Sequence, residues 1–158
     1  MRKFIPGRLV VILSGLVMAF FSCAPQTCFD ETESFLKASF YIYNNTTKVL
    51  QAPDSITLYG LNMETNKIYN NALKVQPALI PLNSSADSCV LIIRINGITD
   101  TLTFRYNSFP HLISKECGYT YYHTLDTNRI YTKHGISDMK FSNRNITTLN
   151  GTNIEIYY

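Results

Sequence analysis

An Asn-Gly pair at positions 96 and 97 joins two apolar-rich runs. The first run, "SCVLIIRI" (88–95), is almost continuously apolar, which predicts a central strand buried on both faces. The second, "ITDTLTFRY" (98–106), sets Leu102, Phe104 and Tyr106 on one face. Asn and Gly both tolerate the positive φ angles of a two-residue type I′ turn. Residues 88–106 are therefore predicted to form an antiparallel hairpin.

The same period recurs along the chain, and helical periodicity is scarce. In "FLKASFYIY" (35–43), Leu36, Ala38, Phe40 and Ile42 share a face opposite Lys37, Ser39 and Tyr41. "SITLYG" (55–60) sets Ile56 and Leu58 against Ser55, Thr57 and Tyr59. "YTYYHTL" (119–125) alternates, and "RIYTK" (129–133) is short. A second Asn-Gly at 150–151 is predicted to join "NITTL" to "TNIEIYY". Segment 62–80 offers one weak strand, around Lys67 to Asn70, before Pro77 and Pro81. Tyrosine is abundant, Thr, Ile and Asn are frequent, and tryptophan is absent, a composition that favours strands and turns. Short strands at regular spacing predict an all-β fold, an antiparallel β-sandwich of immunoglobulin-like or related type, in one domain over 35–158.

The chain begins differently. Arg2, Lys3 and Arg8 precede an apolar run from Leu9 to Phe21, broken by Ser14 and Gly15. A bilayer core needs about 20 apolar residues, so this run reads as a signal-peptide core, with residues 1–22 removed on export. Ser22 before Cys23 matches a bacterial lipobox, with Phe20 where leucine is usual. Cys23 is expected to carry the lipid of a lipoprotein, diacylglycerol and palmitate, and residues 23–34 to form a tether. The competing reading is an ordinary secretory signal with an unmodified cysteine. Removing Arg2, Lys3 and Arg8 leaves 11 of 14 basic side chains against 11 acidic ones. The basicity of the whole chain therefore belongs to targeting, and nucleic acid is not an expected partner.

Three cysteines remain in the exported chain, Cys28, Cys89 and Cys117. An odd number permits one intramolecular bridge and one free thiol. Cys89 lies in the most apolar strand, where a thiol packs as a small hydrophobe. Cys28 and Cys117 lie outside obvious strands, which favours their pairing; a bridge from Cys89 to either is the competing arrangement.

Catalytic patterns are missing. His111, His123 and His134 show no zinc-ligand spacing, and there is no G-x-S-x-G. His123 reads as a packed strand residue. Asp54, Asp87, Asp100, Asp126 and Asp138 fall at strand ends or in loops, positions that suit calcium or simply turns, and turns are the preferred reading. "DETE" (30–33) suits either a solvated tether or an acidic export signal. Tyr119, Tyr121 and Tyr122 in "GYTYYHTL" form a candidate aromatic platform for sugars, against their ordinary use as strand residues. No cofactor or bound metal is expected.

"SITLYGL" (55–61), "IPLNSSADS" (80–88), "NGITDTLTFRY" (96–106), "HLISKECGYTYYHTL" (111–125) and "TNIEIYY" (152–158) together resemble a family of small Bacteroidota envelope lipoproteins, the domain of unknown function 6452. The sharpest element is the E-C-G-x-x-Y-Y run from Glu116 to Tyr122. The resemblance implies that Cys28, followed by Glu31, and Cys117 are the family's paired cysteines. It also implies that Cys89, at a position usually polar, is unpaired. No catalytic residue follows from it.

The expected protein is a non-enzymatic, lipid-anchored β-sandwich of the bacterial outer membrane, a structural or interaction module with an envelope protein or glycan as partner. Ala24 leaves no aspartate at the position associated with inner-membrane retention. The alternative is a surface module that binds glycan or calcium.

Overall fold

The structure is a computed structural model that describes residues 28–149 and 151–158. The signal segment and Cys23 lie outside the described residues. The described chain is all-β, with its strands in two sheets.

The smaller sheet is built on β1 (Phe35–Asn44). One edge of β1 pairs in parallel with β12 (Ile154–Tyr157), which pairs in turn with β10 (Asp138–Phe141). The other edge carries two strands in succession, β5 (Ala78–Pro81) beside 35–38 and β2 (Thr47–Leu50) beside 41–44. Between them the Gln76 amide accepts from the Phe40 N–H at 3.0 Å and donates to the Phe40 carbonyl at 3.3 Å. The Gln51 N–H, just past β2, also reaches the Phe40 carbonyl at 3.1 Å, so the side chain completes the ladder in the gap between the two strands.

The larger sheet runs β11 (Asn145–Ile146), β8 (Gly118–Leu125), β7 (Ile98–Ser114), β6 (Ser88–Ile95), β3 (Ser55–Gly60) and β4 (Tyr69–Leu73). The short β9 (Ile130–Tyr131) also pairs with β7. The predicted hairpin is present: Ile95 faces Ile98, and Asn96 and Gly97 take φ of 48° and 91°. The Asn96 side chain also accepts the Ser55 N–H, tying the turn to β3.

One core draws on both sheets. Leu36, Ala38 and Phe40 of β1 and Ile154 and Ile156 of β12 share it with Ile56 and Leu58 of β3 and Leu102, Phe104 and Tyr106 of β7. Those of β1, β3 and β7 are residues that alternation assigned to the inner faces, whereas Ile42, assigned with them, is only half-buried and lies outside this core.

Three expectations change. Strand β6 is central but buried on one face only: Leu91, Ile93 and Ile95 are in the core, Val90 and Ile92 are half-buried, and Arg94 is exposed. Its outer face lacks the covering layer that burial on both faces requires. The segment 62–80 holds two strands, β4 and β5, with β4 starting later than predicted. Asn71 and Lys74, both at positive φ, shape β4, and the prolines flank or end β5 at an edge where a missing N–H is tolerated. The second Asn-Gly does not close a hairpin, since β11 pairs with β8 and β12 with β1 and β10. Asn153 organises this crossing. Its side chain accepts the Lys37 N–H and donates to the carbonyls of Asn143 and Asn145, at 2.9–3.1 Å.

Candidate functional site

Strands β7 and β8 outrun the sheet that carries them. Pairing of β6 with β7 stops at Ser88 and Arg105, whereas β7 and β8 stay paired from Tyr106 and Leu125 out to Ser114 and Gly118. Strand β11 covers only His123 and Thr124 of the outer edge of β8. Residues 109–122 therefore form a two-stranded ribbon projecting from the sheet.

The N-terminal tether is fixed to this ribbon at two points. Cys28 and Cys117 form a disulfide at the ribbon tip, with their Cα atoms 4.8 Å apart. Six residues later the Ser34 hydroxyl donates to the Tyr121 carbonyl, and the chain enters β1 at Phe35. Gly118, at φ 73°, and the Ser114 hydroxyl, which accepts the Cys117 N–H at 3.0 Å, shape the tip. Cys89 is free and half-buried, and burial pushes its thiol up to about 11.

The candidate tyrosines separate. Tyr119 and Tyr121 are exposed and lie on one face of the ribbon. Tyr122 lies on the opposite face, stacked on His111 at 4.1 Å and edge-on to Phe109, with its hydroxyl 3.2 Å from that of Thr148. Alternation alone requires the split, because positions 121 and 122 of one strand point apart. His123 is the packed residue expected: it is 3 % exposed, edge-on to Tyr106, and 2.8 Å from the Ser108 hydroxyl. Burial holds its pKa below the ordinary histidine value.

The five aspartates are dispersed in different hydrogen-bonding sites. Asp54 pairs with Lys74, Asp87 accepts from Ser88, and Asp126 accepts from Thr127. Asp138 accepts from Tyr131 and the Met139 N–H. Asp100 is 2 % exposed and takes the Thr132 hydroxyl and the N–H groups of His134, Gly135 and Ile136. Burial alone would raise its carboxyl, but these four donors outweigh it and hold the pKa below the ordinary carboxylate value. Donors aimed at both oxygens make this a clasp for the 132–136 loop, with no face left for a cation. Among the described residues no group of three or more His, Cys, Asp or Glu is placed to hold a metal ion.

Two features of the β1 sheet escaped the sequence reading. On its outer face Tyr43 and Tyr41 stack on Tyr157, and the Lys48 and Lys140 ammonium groups lie over these rings. Glu155 accepts from Lys48 and Tyr157 at 2.6 Å and from Ser142 at 2.9 Å. Burial raises the Glu155 carboxyl, and these donors overcome it to lower the pKa; burial and the carboxylate push the Tyr157 phenol up to about 12. Beside this cluster a groove of about 600 Å³ runs over Phe35, Ser39, Tyr41 and Leu79, with Glu31 and Glu33 of the tether on its rim. Alternation in 35–43 does place Tyr41 outward with Ser39, but the partners come from β12, β10 and β2, whose pairing with β1 is not local.

Fold and site define an all-β domain whose N-terminal tether is stapled to a projecting ribbon. The family of unknown function DUF6452 matches residues 55–158, and the chain belongs to that family. No curated protein and no solved structure matches the chain.

Proposed function

We propose that the protein is a lipid-anchored, non-enzymatic interaction module of the bacterial cell envelope, held at the outer membrane through Cys23. The observation that carries this reading is the Cys28–Cys117 disulfide. A structural disulfide belongs to an oxidising compartment, so it fits export by the N-terminal signal segment. It also fastens the domain five residues after the anchoring cysteine. The two sheets are read as the halves of a β-sandwich, a reading supported by the single core they share. Inhibiting lipoprotein signal peptidase in growing cells is expected to make the uncleaved precursor accumulate. Unchanged processing would overturn the anchor.

A second reading, a surface module for a glycan, is favoured by the groove on the β1 sheet, which Phe35 and Tyr41 line beside polar groups. A glycan array, together with thermal shift in the presence and absence of calcium, tests it. No response in either retires it.

A further inference from the structure

The inner face of the larger sheet does not stop where the core stops. Along β7 the core-facing positions Leu102, Phe104 and Tyr106 are buried, and the same face continues into Pro110 and Leu112, which are exposed. Along β8 the buried Leu125 and His123 continue into Tyr121 and Tyr119, which are 47 % and 73 % exposed. Register places Pro110 opposite Tyr121 and Leu112 opposite Tyr119, so these four make one uncharged face on the free part of the ribbon. Phe29, beside the disulfide at the tip, is 91 % exposed. Isolated exposed apolar residues need no explanation, but a contiguous face ending a sheet does.

We propose that this ribbon face is a membrane-docking surface that rests in the interfacial layer of the bilayer; this rests on the reading of Cys23 as lipidated. The length of chain outside the structure selects the occupant. Cys28 lies five positions after Cys23, with four residues between them, and five steps of fully extended chain reach no more than about 18 Å. Cys28 is covalently bound to the ribbon tip, so a lipid on Cys23 holds the tip within that distance of the bilayer. Tyrosine and leucine suit this position: a tyrosine ring enters the headgroup boundary with its hydroxyl still wet. Charge selects the lipid. Lys115 and Glu116 at the tip cancel, while Asp30, Glu31 and Glu33 on the tether repel an anionic surface. The docking is hydrophobic, favours zwitterionic headgroups and is insensitive to salt.

The chain has no tryptophan, so a single Tyr119→Trp substitution gives an unmixed reporter, with Tyr121→Trp as a second. Leu73→Trp, exposed on β4 at the sheet end beside the Asn96-Gly97 turn, is the control. The chain from residue 23 is attached by an N-terminal histidine tag to phosphatidylcholine–phosphatidylethanolamine vesicles that contain nickel-chelating lipid and brominated acyl chains. On attachment, Tyr119→Trp or Tyr121→Trp emission is expected to shift to the blue and to be quenched at least about twofold more than Leu73→Trp, equally at low and high salt. Quenching of both ribbon reporters no greater than that of the control, in protein with unchanged thermal unfolding, overturns the proposal. A blue shift that instead grows with protein concentration in the absence of vesicles also overturns it, because the face then covers a second copy. The tag supplies the anchor, so failed lipidation in cells leaves this measurement standing, and failed docking leaves the lipidation standing.

Discussion

Asp100 holds a loop that has little regular structure of its own. Its carboxylate collects one hydroxyl and three backbone N–H groups from residues 132–136, and that loop brings Ile136 into the core. Asp100→Asn turns two of those acceptor positions into an amide donor facing other donors, and is expected to cost about 2–4 kcal/mol in urea unfolding at pH 7. The folded carboxyl sits below its unfolded value of about 3.9, so its stabilisation is fully present above that value and is lost as pH falls through the folded one. The gap between wild type and Asp100→Asn should therefore narrow below about pH 4. Cys89 offers a second residue-level test. Raised from 9.0 to about 11, its thiol should react with iodoacetamide at pH 8 about a hundredfold more slowly than an ordinary cysteine, and at the ordinary rate once unfolded. In the sequence Asp100 was one of five aspartates at strand ends, and its turn-forming role was legible there. That it alone is buried was not, because burial depends on the loop it captures 32 to 36 residues later.

The ribbon is the element on which the anchoring and membrane-docking proposals converge. Its strands follow from alternation, and its tip from the turn at Gly118. Its tether follows from Cys28, Cys117 and Ser34. Cys117→Ser opens a loop of 89 residues, which chain entropy values at no more than about 4.5 kcal/mol. The expected result is a lower unfolding midpoint with a cooperative transition retained, since the core lies elsewhere. Limited proteolysis should then cut within 28–34 first, where one side-chain hydrogen bond remains. The pairing of Cys28 with Cys117 was favoured by the residues and by the family resemblance. The length of the ribbon was not legible, because nothing local in β7 marks where β6 leaves it.

At the scale of the whole molecule, the first and last described strands are neighbours. Parallel pairing of β1 with β12 joins residues more than a hundred positions apart, and β12 buries Ile154, Ile156 and Tyr157. Each such side chain contributes about 1.5–3 kcal/mol, and three together rival the 5–15 kcal/mol of a typical domain. Deleting residues 152–158 is therefore expected to abolish the cooperative thermal transition seen by circular dichroism; a truncated chain that still melts cooperatively would show β12 to be dispensable. Alternation, an Asn-Gly turn and cysteine placement determined by themselves the all-β class, most strand positions, the inward faces and the hairpin at 96–97. These are local properties, written in neighbouring residues with a period of two. Only the tertiary structure decided that 150–151 connects two sheets, that β1 takes three partners, and that the face carrying Tyr119 and Tyr121 continues the core face without being covered. Those outcomes depend on which distant edge each strand finds, and an edge offers the same N–H and C=O groups whatever its sequence.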